Sequence, residues 1–267
     1  MYNIGFWGCG NLARIIAERL FDQTVSGYHI LGAYDKNPDS SSSFSGLFGC
    51  NTCNSLDELI SLTPDFIIEA AAPDALKANA EKVISRHISL IVLSTGAFSD
   101  EKWSSELKIT AEANHAKIYL ASGAIGGFDI MGAARLMGNL KAQIINIKKP
   151  EALNGAPYLN GRVLDPNKEE LLFSGTAREA IRFFPQNLNV AVSAAIATCG
   201  VDLTQVQLKS VPDTAFNTHI IELDGNFGQA SLTISSFPSK GNAKSSEIAA
   251  WSVLYLLQKL NQSIVFC

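Results

Sequence analysis

The sequence predicts an α/β protein of two domains, with a parallel sheet in the first and a mixed sheet in the second. Up to residue 121, continuous apolar strands alternate with helices, which is typical of a parallel sheet covered on both faces. Beyond residue 121, the strands show more alternation of apolar and polar residues, which indicates a sheet with one face open to a partner or to solvent. We expect 1–121 plus about 241–267 to form the first domain and 122–240 to form the second.

A glycine-rich turn joins the first strand to the first helix and follows the pattern G-x-G-x-x-A. Gly8 allows a tight turn, Gly10 lets a pyrophosphate approach the backbone, and Ala13 lets the helix pack close to the strand. The N–H groups at the helix start, around Asn11 and Leu12, then face the phosphates of a dinucleotide.

The second strand supplies the acidic residue that this pattern needs. The apolar run 29–34 ends at Asp35, in the right region to accept hydrogen bonds from an adenosine ribose. Strand, glycine turn, helix, strand and acid in this order favour a Rossmann domain that binds NAD or NADP. Asp35 favours NAD because its charge repels a 2′-phosphate, whereas the adjacent Lys36 weakens that preference. The alternative is an ordinary βαβ unit without a ligand.

The rest of the first domain continues the alternation of strands and helices. Ligands of such sheets bind beyond the carboxyl ends of the strands, which places 70–72, 94–96 and 122–124 on the cofactor side. Residues 39–45 are rich in serine and are predicted to form a polar loop. The further predicted strands are 66–70, 88–93 and 117–120, and the helices between them are 73–85 and 100–115.

The second domain begins with a run of small residues at 122–129, which leads into a helix ending near Gly138. A final amphipathic helix, 245–260, is expected to return to the first domain after a linker at 238–242. The predicted strands of the second domain are 144–148, 205–209, 218–223 and 229–235, with helices at about 176–184 and 187–198.

Composition excludes several functional classes. A net charge of −4 gives no reason to expect nucleic-acid binding, and no apolar run approaches the length of a membrane span. The first 20 residues read as strand and helix rather than as a signal peptide. Five cysteines without a disulfide framework indicate a reducing cytoplasm. Cys50 and Cys53 form a C-x-x-C without further ligands, so no metal site is expected, and a loop with two thiols is the simpler interpretation.

A dinucleotide domain followed by a second domain implies hydride transfer, with the substrate held by the second domain. Such an enzyme needs a group that manages a proton, and histidine is the usual choice near neutral pH. His219 lies between polar residues at a strand start and is the candidate. The other three, each at an element terminus and more readily explained as structural or solvated, are His29, His87 and His115.

Amide and cationic side chains of the second domain are further candidates. Asn187 and Asn189 follow Pro185 at a predicted helix start, where they either hold a cofactor or substrate group or simply cap the helix. The candidate carboxylate clamps, each of which could instead be a solvated surface charge, are Lys148, Lys149, Arg162, Arg178 and Arg182.

Together these motifs resemble the L-aspartate dehydrogenase family, and the resemblance covers nearly the whole chain. The two long inner motifs are more specific than the glycine turn, and near the C-terminus Ala243 and Ser245 replace Pro and Thr of the family pattern. The motifs are 8–10 (GCG), 122–129 (SGAIGGFD), 148–150 (KKP), 173–180 (FSGTAREA), 184–190 (FPQNLNV), 217–219 (NTH) and 242–246 (NAKSS).

The resemblance implies roles for three residues and a reaction. Ala124 and Asn189 match cofactor contacts, and His219 matches the active-site residue. NAD(P)⁺ is then expected to take a hydride from L-aspartate, giving iminoaspartate, which hydrolyses to oxaloacetate and ammonia or feeds NAD biosynthesis. The resemblance also implies a homodimer supported by the second domain's sheet, and the Lys148–Lys149 pair is the first candidate for binding the dianionic substrate. The alternatives are a related dehydrogenase or reductase for another amino or imino acid, and a non-catalytic NAD(P)-binding sensor.

Overall fold

The computed structural model of the chain describes residues 1–239 and 242–266, which form two compact units. The first unit is Met1–Ala121 together with the chain from Ala249, and the second is Ser122–Ile248. The chain therefore returns to the first unit later than the position near residue 241 that the sequence indicates. The reason is that 242–246 still pair with a strand of the second unit.

The first unit is built on a six-stranded sheet in which every pairing is parallel. Its strands are β1 (Tyr2–Trp7), β2 (Tyr28–Tyr34), β3 (Asn51–Cys53), β4 (Phe66–Glu69), β5 (Ser89–Val92) and β6 (Ile118–Leu120). The order is β3-β2-β1-β4-β5-β6, so the direction of winding reverses between β1 and β4. Ligands of open α/β sheets bind beyond the strand ends at such a point. The predicted Rossmann-type parallel sheet is confirmed.

Helices cover this sheet and pack apolar side chains against it. They are α1 (Asn11–Phe21), α2 (Pro38–Phe48), α3 (Leu56–Ser61), α4 (Pro73–Ile84) and α5 (Glu101–Ala113). In α1 the buried residues Ala13, Ile16, Ala17 and Leu20 lie on one face, as the helical spacing predicts.

The prediction of a loop at residues 39–45 is wrong, because this stretch lies inside the helix α2. Asn37 caps the helix by accepting the Asp39 N–H through its side chain at 3.1 Å, and Pro38 occupies the first helical position. Phe44 is fully buried, with its ring centroid 5.0 Å from that of Phe6. The run of serines hides an amphipathic helix whose fully buried apolar anchor is Phe44, with the half-buried Phe48 packed beside it one turn later.

The second unit contains a five-stranded mixed sheet, as predicted. Its strands are β7 (Lys141–Lys148), β8 (Glu170–Thr176), β9 (Gln205–Ser210), β10 (Asn217–Gly225) and β11 (Gly228–Ser236). In the order β11-β10-β7-β9-β8, only β7 and β9 pair in parallel. β8 is not among the strands that the sequence predicts. The helices of this unit are α6 (Phe128–Met137), α7 (Pro150–Leu153), α8 (Ala177–Phe183) and α9 (Asn189–Ala197).

One face of this sheet is buried, and it changes from apolar to polar along the strands. At one end Ile144, Val206 and Ile221 are buried. At the other end the buried side chains are polar: Asn146, Lys148, Ser210, Asn217 and His219. This polar end is the feature that positions the candidate active site.

The chain after the mixed sheet forms a short hairpin and then a helix. β12 (Pro238–Ser239) pairs antiparallel with β13 (Asn242–Ser246), so the predicted linker at 238–242 is largely strand, and its residues 240 and 241 lie outside the described residues. The last helix, α10 (Ile248–Asn261), buries Val253, Leu254 and Leu257 in the core of the first unit. Within the described part of the chain, no helix is both long and apolar enough to cross a membrane.

Candidate active site

The glycine turn after β1 has a backbone that only glycine accommodates. Gly8 has a φ of +96°, and a Cβ built on it would lie 2.6 Å from the carbonyl carbon and oxygen of Ala70. A Cβ on Gly10, by contrast, meets nothing within 4 Å. Gly10 is also the N-cap of α1, and as a glycine it has no side chain that caps the helix. An open space beside Gly10 at this helix start fits the phosphates of a dinucleotide, and Asn11 and Leu12 are the residues that begin that helix.

Asp35 lies directly beside the glycine turn. Its Oδ2 accepts the N–H of Cys9 at 2.8 Å and its Oδ1 accepts the N–H of Asn37 at 2.9 Å. The carboxylate is half-buried, while the neighbouring Lys36 is exposed. These contacts fix an acidic group at the end of β2, the position that a ribose-binding carboxylate occupies in dinucleotide folds.

Glu69 is a buried carboxyl at the same edge of the sheet, and no motif of the sequence marks it as a site residue. It accepts hydrogen bonds from the Ser94 hydroxyl at 2.7 Å, from the Ser94 N–H at 3.0 Å and from the Ala71 N–H at 2.8 Å. Burial raises the pKa of Glu69, and the hydrogen bonds from Ser94 and Ala71 oppose that rise. Glu69 therefore ties the segments after β4 and β5 together beside the glycine turn.

The described cysteines, Cys9, Cys50, Cys53 and Cys199, carry free thiols. Burial raises the pKa of Cys9 to about 12, and the charge of Asp35 adds to the rise. Burial also raises the pKa values of Cys50 and Cys53. Because the thiolate is the reactive form, these thiols are poor nucleophiles at neutral pH.

In the second unit, Ala124 and Asn189 lie in segments that contact each other. Ala124 is buried in the turn before α6, and Asn189 is the first residue of α9. A Cβ built on Gly123 would lie 3.5 Å from Cγ1 of Val190, so the turn and the start of α9 are neighbours. Two residues that belong to separate sequence motifs thus come from one small region.

Asn187 has a different environment from Asn189. Its side chain is buried, and its Nδ2 donates to the Ala152 carbonyl at 2.9 Å, which anchors α7. The N-cap of α9 is Leu188, which makes no side-chain cap bond. Helix capping, one of the two roles that the sequence offered for these asparagines, is therefore wrong for both. The anchoring bond gives Asn187 a structural role and leaves Asn189 as the better cofactor candidate of the two.

His219 lies on the polar end of the buried sheet face. Only 2% of the residue is exposed, and its register partner on the neighbouring strand β7 is Asn146. Nδ1 of His219 lies 2.8 Å from Oδ1 of Asn146. Burial, with a smaller contribution from the positive charge of Lys148, lowers the pKa of His219 to about 3. The imidazole is therefore neutral at physiological pH, and one of its two ring nitrogens carries no hydrogen.

Lys148 lies on the same buried face as His219. It is 3% exposed, and burial lowers its pKa to about 8. Its register partner on β9 is Ser210, whose buried hydroxyl has no hydrogen-bond partner among the described residues. Asn217 donates to the Ser246 hydroxyl at 3.2 Å and completes this polar region. A buried cation beside a donor that lacks an acceptor suits an anionic ligand.

The other candidate residues lie away from this cluster or already have partners. Arg162 pairs with Glu170 at 2.9 Å and Arg178 donates to Asp202 at 2.8 Å. Lys149 is the N-cap of α7 and is half-buried. The remaining arginine and histidine candidates are all exposed at the surface: Arg182, His29, His87 and His115.

Comparison with known proteins gives two family matches that together span most of the chain. Residues 129–260 match the family described as aspartate dehydrogenase, C-terminal. Residues 8–121 match the family described as homoserine dehydrogenase, NAD binding domain. The boundary between the two matches falls close to the division between the structural units.

Solved structures share this fold. Aspartate dehydrogenase from Thermotoga maritima superposes with a TM-score of 0.77 at 22% identity and covers all of both chains. A hyperthermophilic archaeal homoserine dehydrogenase in complex with NADPH superposes with a TM-score of 0.59 at 13% identity, with 97% of each chain covered. At these identities the likeness establishes the fold alone.

Sequence relatives are closer and extend over the full length. L-aspartate dehydrogenase of Psychrobacter cryohalolentis is 33% identical, and the alignment covers 99% of each chain. L-aspartate dehydrogenase of Methanocaldococcus jannaschii is 30% identical over 99% of this chain and 98% of that one. With this similarity along its whole length, the chain belongs to the L-aspartate dehydrogenase family.

Proposed function

We propose that the chain is an NAD(P)-dependent L-aspartate dehydrogenase. L-Aspartate loses a hydride from its α-carbon and a proton from its nitrogen, which gives iminoaspartate and NAD(P)H. Water then adds to the imine, and the adduct breaks down to oxaloacetate and ammonia. The observation that carries the proposal is the buried pair of His219 and Lys148 on one sheet face, in a chain that belongs to this family.

The glycine turn of the first unit supports the cofactor assignment. Gly8, Gly10, Asn11 and Leu12 provide a tight turn and a helix start that suit a pyrophosphate, and Asp35 suits the ribose. When bound, the nicotinamide accepts the hydride. In the second unit, we assign further cofactor contacts to Ala124 and Asn189, supported by the family resemblance and by their neighbouring segments.

His219 is the proposed acid–base catalyst. The substrate amine is protonated near neutral pH and must lose a proton before the C–N bond can become an imine. A neutral imidazole accepts that proton and passes it to solvent, and the ring then accepts a second proton from the water that attacks the imine. The depressed pKa of His219, about 3, keeps the ring in the accepting form, and the same depression makes the imidazolium a ready donor to the leaving ammonia.

Lys148, rather than Lys149, is the proposed partner of a substrate carboxylate. Lys148 shares the buried face with His219, and the unsatisfied hydroxyl of Ser210 is its register neighbour. A carboxylate between them would receive a charge-assisted hydrogen bond from the ammonium and a second one from the hydroxyl. The substrate carboxylate would also accept a hydrogen bond from the Ser210 hydroxyl, which otherwise has no partner among the described residues.

The substitution Lys148→Met tests this assignment. We expect KM for L-aspartate to rise by about 100-fold, the loss of one charge-assisted hydrogen bond of up to 3 kcal/mol. Burial lowers the pKa of Lys148 from 10.5 to about 8, so the buried ammonium costs folding free energy below pH 10.5, and the cost is nearly complete below pH 8. Removing the ammonium should therefore raise the free energy of unfolding at pH 7 by up to ~3 kcal/mol. Steady-state kinetics and chemical denaturation measure both effects.

Lys149→Met is the matched control, because it removes the adjacent charge from a half-buried cap position. We expect KM to change by less than about threefold, as for a surface charge. Equal effects of the two substitutions on KM would contradict the assignment of Lys148. The wild-type KM should also rise above about pH 8 as Lys148 loses its proton, and this rise should vanish in Lys148→Met.

Asp35→Ala should narrow any preference for NAD over NADP. The carboxylate repels a 2′-phosphate, so its removal should shift the ratio of kcat/KM values towards NADP by about tenfold, equivalent to ~1.4 kcal/mol. Asp35→Asn is the control, since one amide oxygen can still accept the Cys9 N–H while the charge is lost. Both variants should shift the ratio, and an unchanged ratio would remove Asp35 from the cofactor site.

We also infer a homodimer that forms through the second unit. The face of the mixed sheet opposite His219 leaves Ile145, Ile147 and Ile220 partly exposed, which suits burial against a second copy. Light scattering should give about twice the chain mass of 28.7 kDa, and a monomeric mass would contradict this inference.

We place the enzyme in the cytoplasm. The free thiols of the described cysteines support this location, because a reducing compartment keeps thiols free. In the cytoplasm, iminoaspartate could also enter NAD biosynthesis.

The substrate is tested by following NADH and NADPH formation with L-aspartate beside D-aspartate, L-glutamate, L-alanine and L-homoserine. Activity confined to L-aspartate is the expected result. Activity with another member of the panel would indicate a related amino acid dehydrogenase. Tight NADH binding without turnover of any substrate would indicate a cofactor-binding sensor.

A further inference from the structure

Asn146 is a buried polar residue to which neither the sequence motifs nor the proposed reaction assigns a role. It is 0% exposed and lies opposite His219 in the antiparallel pair of β7 and β10. Its Oδ1 lies 2.8 Å from Nδ1 of the imidazole. A buried asparagine placed against a histidine on the next strand controls how that ring can be protonated.

The orientation of the Asn146 amide follows from its second contact. Nδ2 lies 3.3 Å from the Gln207 carbonyl on β9, and a carbonyl oxygen can only accept a hydrogen bond. The donating end of the amide is therefore directed to Gln207, and the accepting end, Oδ1, is directed to His219. Nδ1 of His219 must then carry the hydrogen, because Oδ1 has none to give.

Asn146 fixes the ring without adding charge. A carboxylate at this place would stabilise the imidazolium and raise the pKa of His219, whereas an amide leaves the neutral ring favoured. Among the described residues, Lys148 on β7 is the charged group that acts on His219, and it disfavours the imidazolium. Ile234 faces His219 as its register partner on β11, and the buried residues of the adjacent helix α6, Met131 and Ala134, are apolar.

We propose that Asn146 is a positioning residue that holds His219 in the Nδ1–H tautomer, so that Nε2 is the atom that accepts the substrate proton. This assignment rests on the proposed function, since it names the atom that performs the proton transfer. It assigns Asn146 the role that a hydrogen-bonding partner plays at other catalytic histidines, where it sets tautomer and orientation. Asn146 itself does not touch the substrate.

The tautomer can be measured directly in the wild-type protein. Long-range ¹H–¹⁵N NMR of histidine-labelled protein distinguishes the two ring nitrogens, and His219→Gln identifies the signals of this ring among four histidines. The expected result is a neutral His219 protonated on Nδ1 at pH 7. A ring protonated on Nε2 overturns the proposal, and this measurement requires neither a folded Asn146 variant nor catalytic activity.

Two variants then connect the tautomer to catalysis. In Asn146→Leu the acceptor is lost, and we expect the NMR signals to show a changed tautomer and kcat to fall by about 100-fold with little change in KM. In Asn146→Asp the acceptor is kept and a charge is added, so activity should be partly retained and the acidic limb of the pH profile should move upward by about one pH unit. Gln143→Leu, which removes a half-buried amide elsewhere on β7, should leave both readouts unchanged.

The outcomes separate this proposal from the proposed function. Unchanged kcat in Asn146→Leu together with an altered tautomer overturns the role of Asn146 while the enzyme remains an aspartate dehydrogenase. Absence of wild-type turnover with every substrate refutes the proposed function, while the tautomer measurement still shows whether Asn146 sets the ring.

Discussion

Replacing His219 with alanine should lower kcat for L-aspartate by about 10³-fold, within the range that a positioned acid–base group contributes. Burial lowers the pKa of this ring to about 3, so the imidazole is neutral at pH 7 and has a ring nitrogen that can receive a proton during the reaction. NADH binding should be nearly unchanged, since the proposed phosphate- and ribose-binding residues lie in the first unit, around Gly8, Gly10 and Asp35. Single-turnover kinetics and NADH titration measure the two quantities separately.

His219→Gln is the control for loss of packing, because glutamine fills more of the site and hydrogen bonds without transferring protons. Both variants should show the same loss of kcat and should differ mainly in thermal stability, where the alanine variant leaves a cavity. If NADH affinity fell together with kcat in both variants, His219 would be a structural residue and the catalytic assignment would be wrong.

The same ring predicts a pH dependence of stability. The pKa of His219 is about 3 in the folded chain and 6.5 in its unperturbed state, so the unfolded chain binds the proton more readily. This difference in pKa has little effect on the free energy of unfolding above pH 6.5. As the pH falls towards 3 it lowers that free energy increasingly, by ~2 kcal/mol near pH 5. His219→Gln should therefore lose less stability than the wild type between pH 7 and pH 5, as measured by denaturant unfolding at each pH.

The fold was predictable where the sequence carries local periodicity. The parallel sheet follows from apolar strands alternating with amphipathic helices, and the glycine turn follows from residues that are close in sequence. The helix α2 was not recognised because its serines mask one buried anchor, Phe44, and β8 was not identified. The return of the chain was placed too early because a proline, a glycine and polar residues resemble a linker, whereas the strand β13 intervenes.

The site was less predictable because its contacts depend on strand register. His219 was identified through its motif, but its partner Asn146 lies 73 residues away and is placed by the pairing of β10 with β7. The choice between Lys148 and Lys149 likewise depends on which one points to the buried face. Alternation along β7 could have suggested that Asn146 and Lys148 share a face, although it could not have paired them with His219.

The two glycines of the turn should differ in whether one added methyl group affects folding, although both additions should weaken NADH binding. In Gly8→Ala, the alanine backbone must adopt a φ of +96°, and the new Cβ would lie 2.6 Å from the carbonyl carbon and oxygen of Ala70. Backbone atoms cannot move aside as the end of a flexible side chain can. Strain and overpacking together should lower the free energy of unfolding by about 3–5 kcal/mol and abolish measurable NADH binding.

Gly10→Ala places the same methyl group in open space, since nothing lies within 4 Å of its Cβ. The free protein should keep its stability to within about 1 kcal/mol, the usual effect at a helix N-cap. NADH affinity should nevertheless fall by about 100-fold, because the methyl group occupies the place where the pyrophosphate approaches the backbone. Thermal unfolding and NADH titration of the pair separate folding from binding, and wild-type affinity in Gly10→Ala would mean that the cofactor phosphates bind elsewhere.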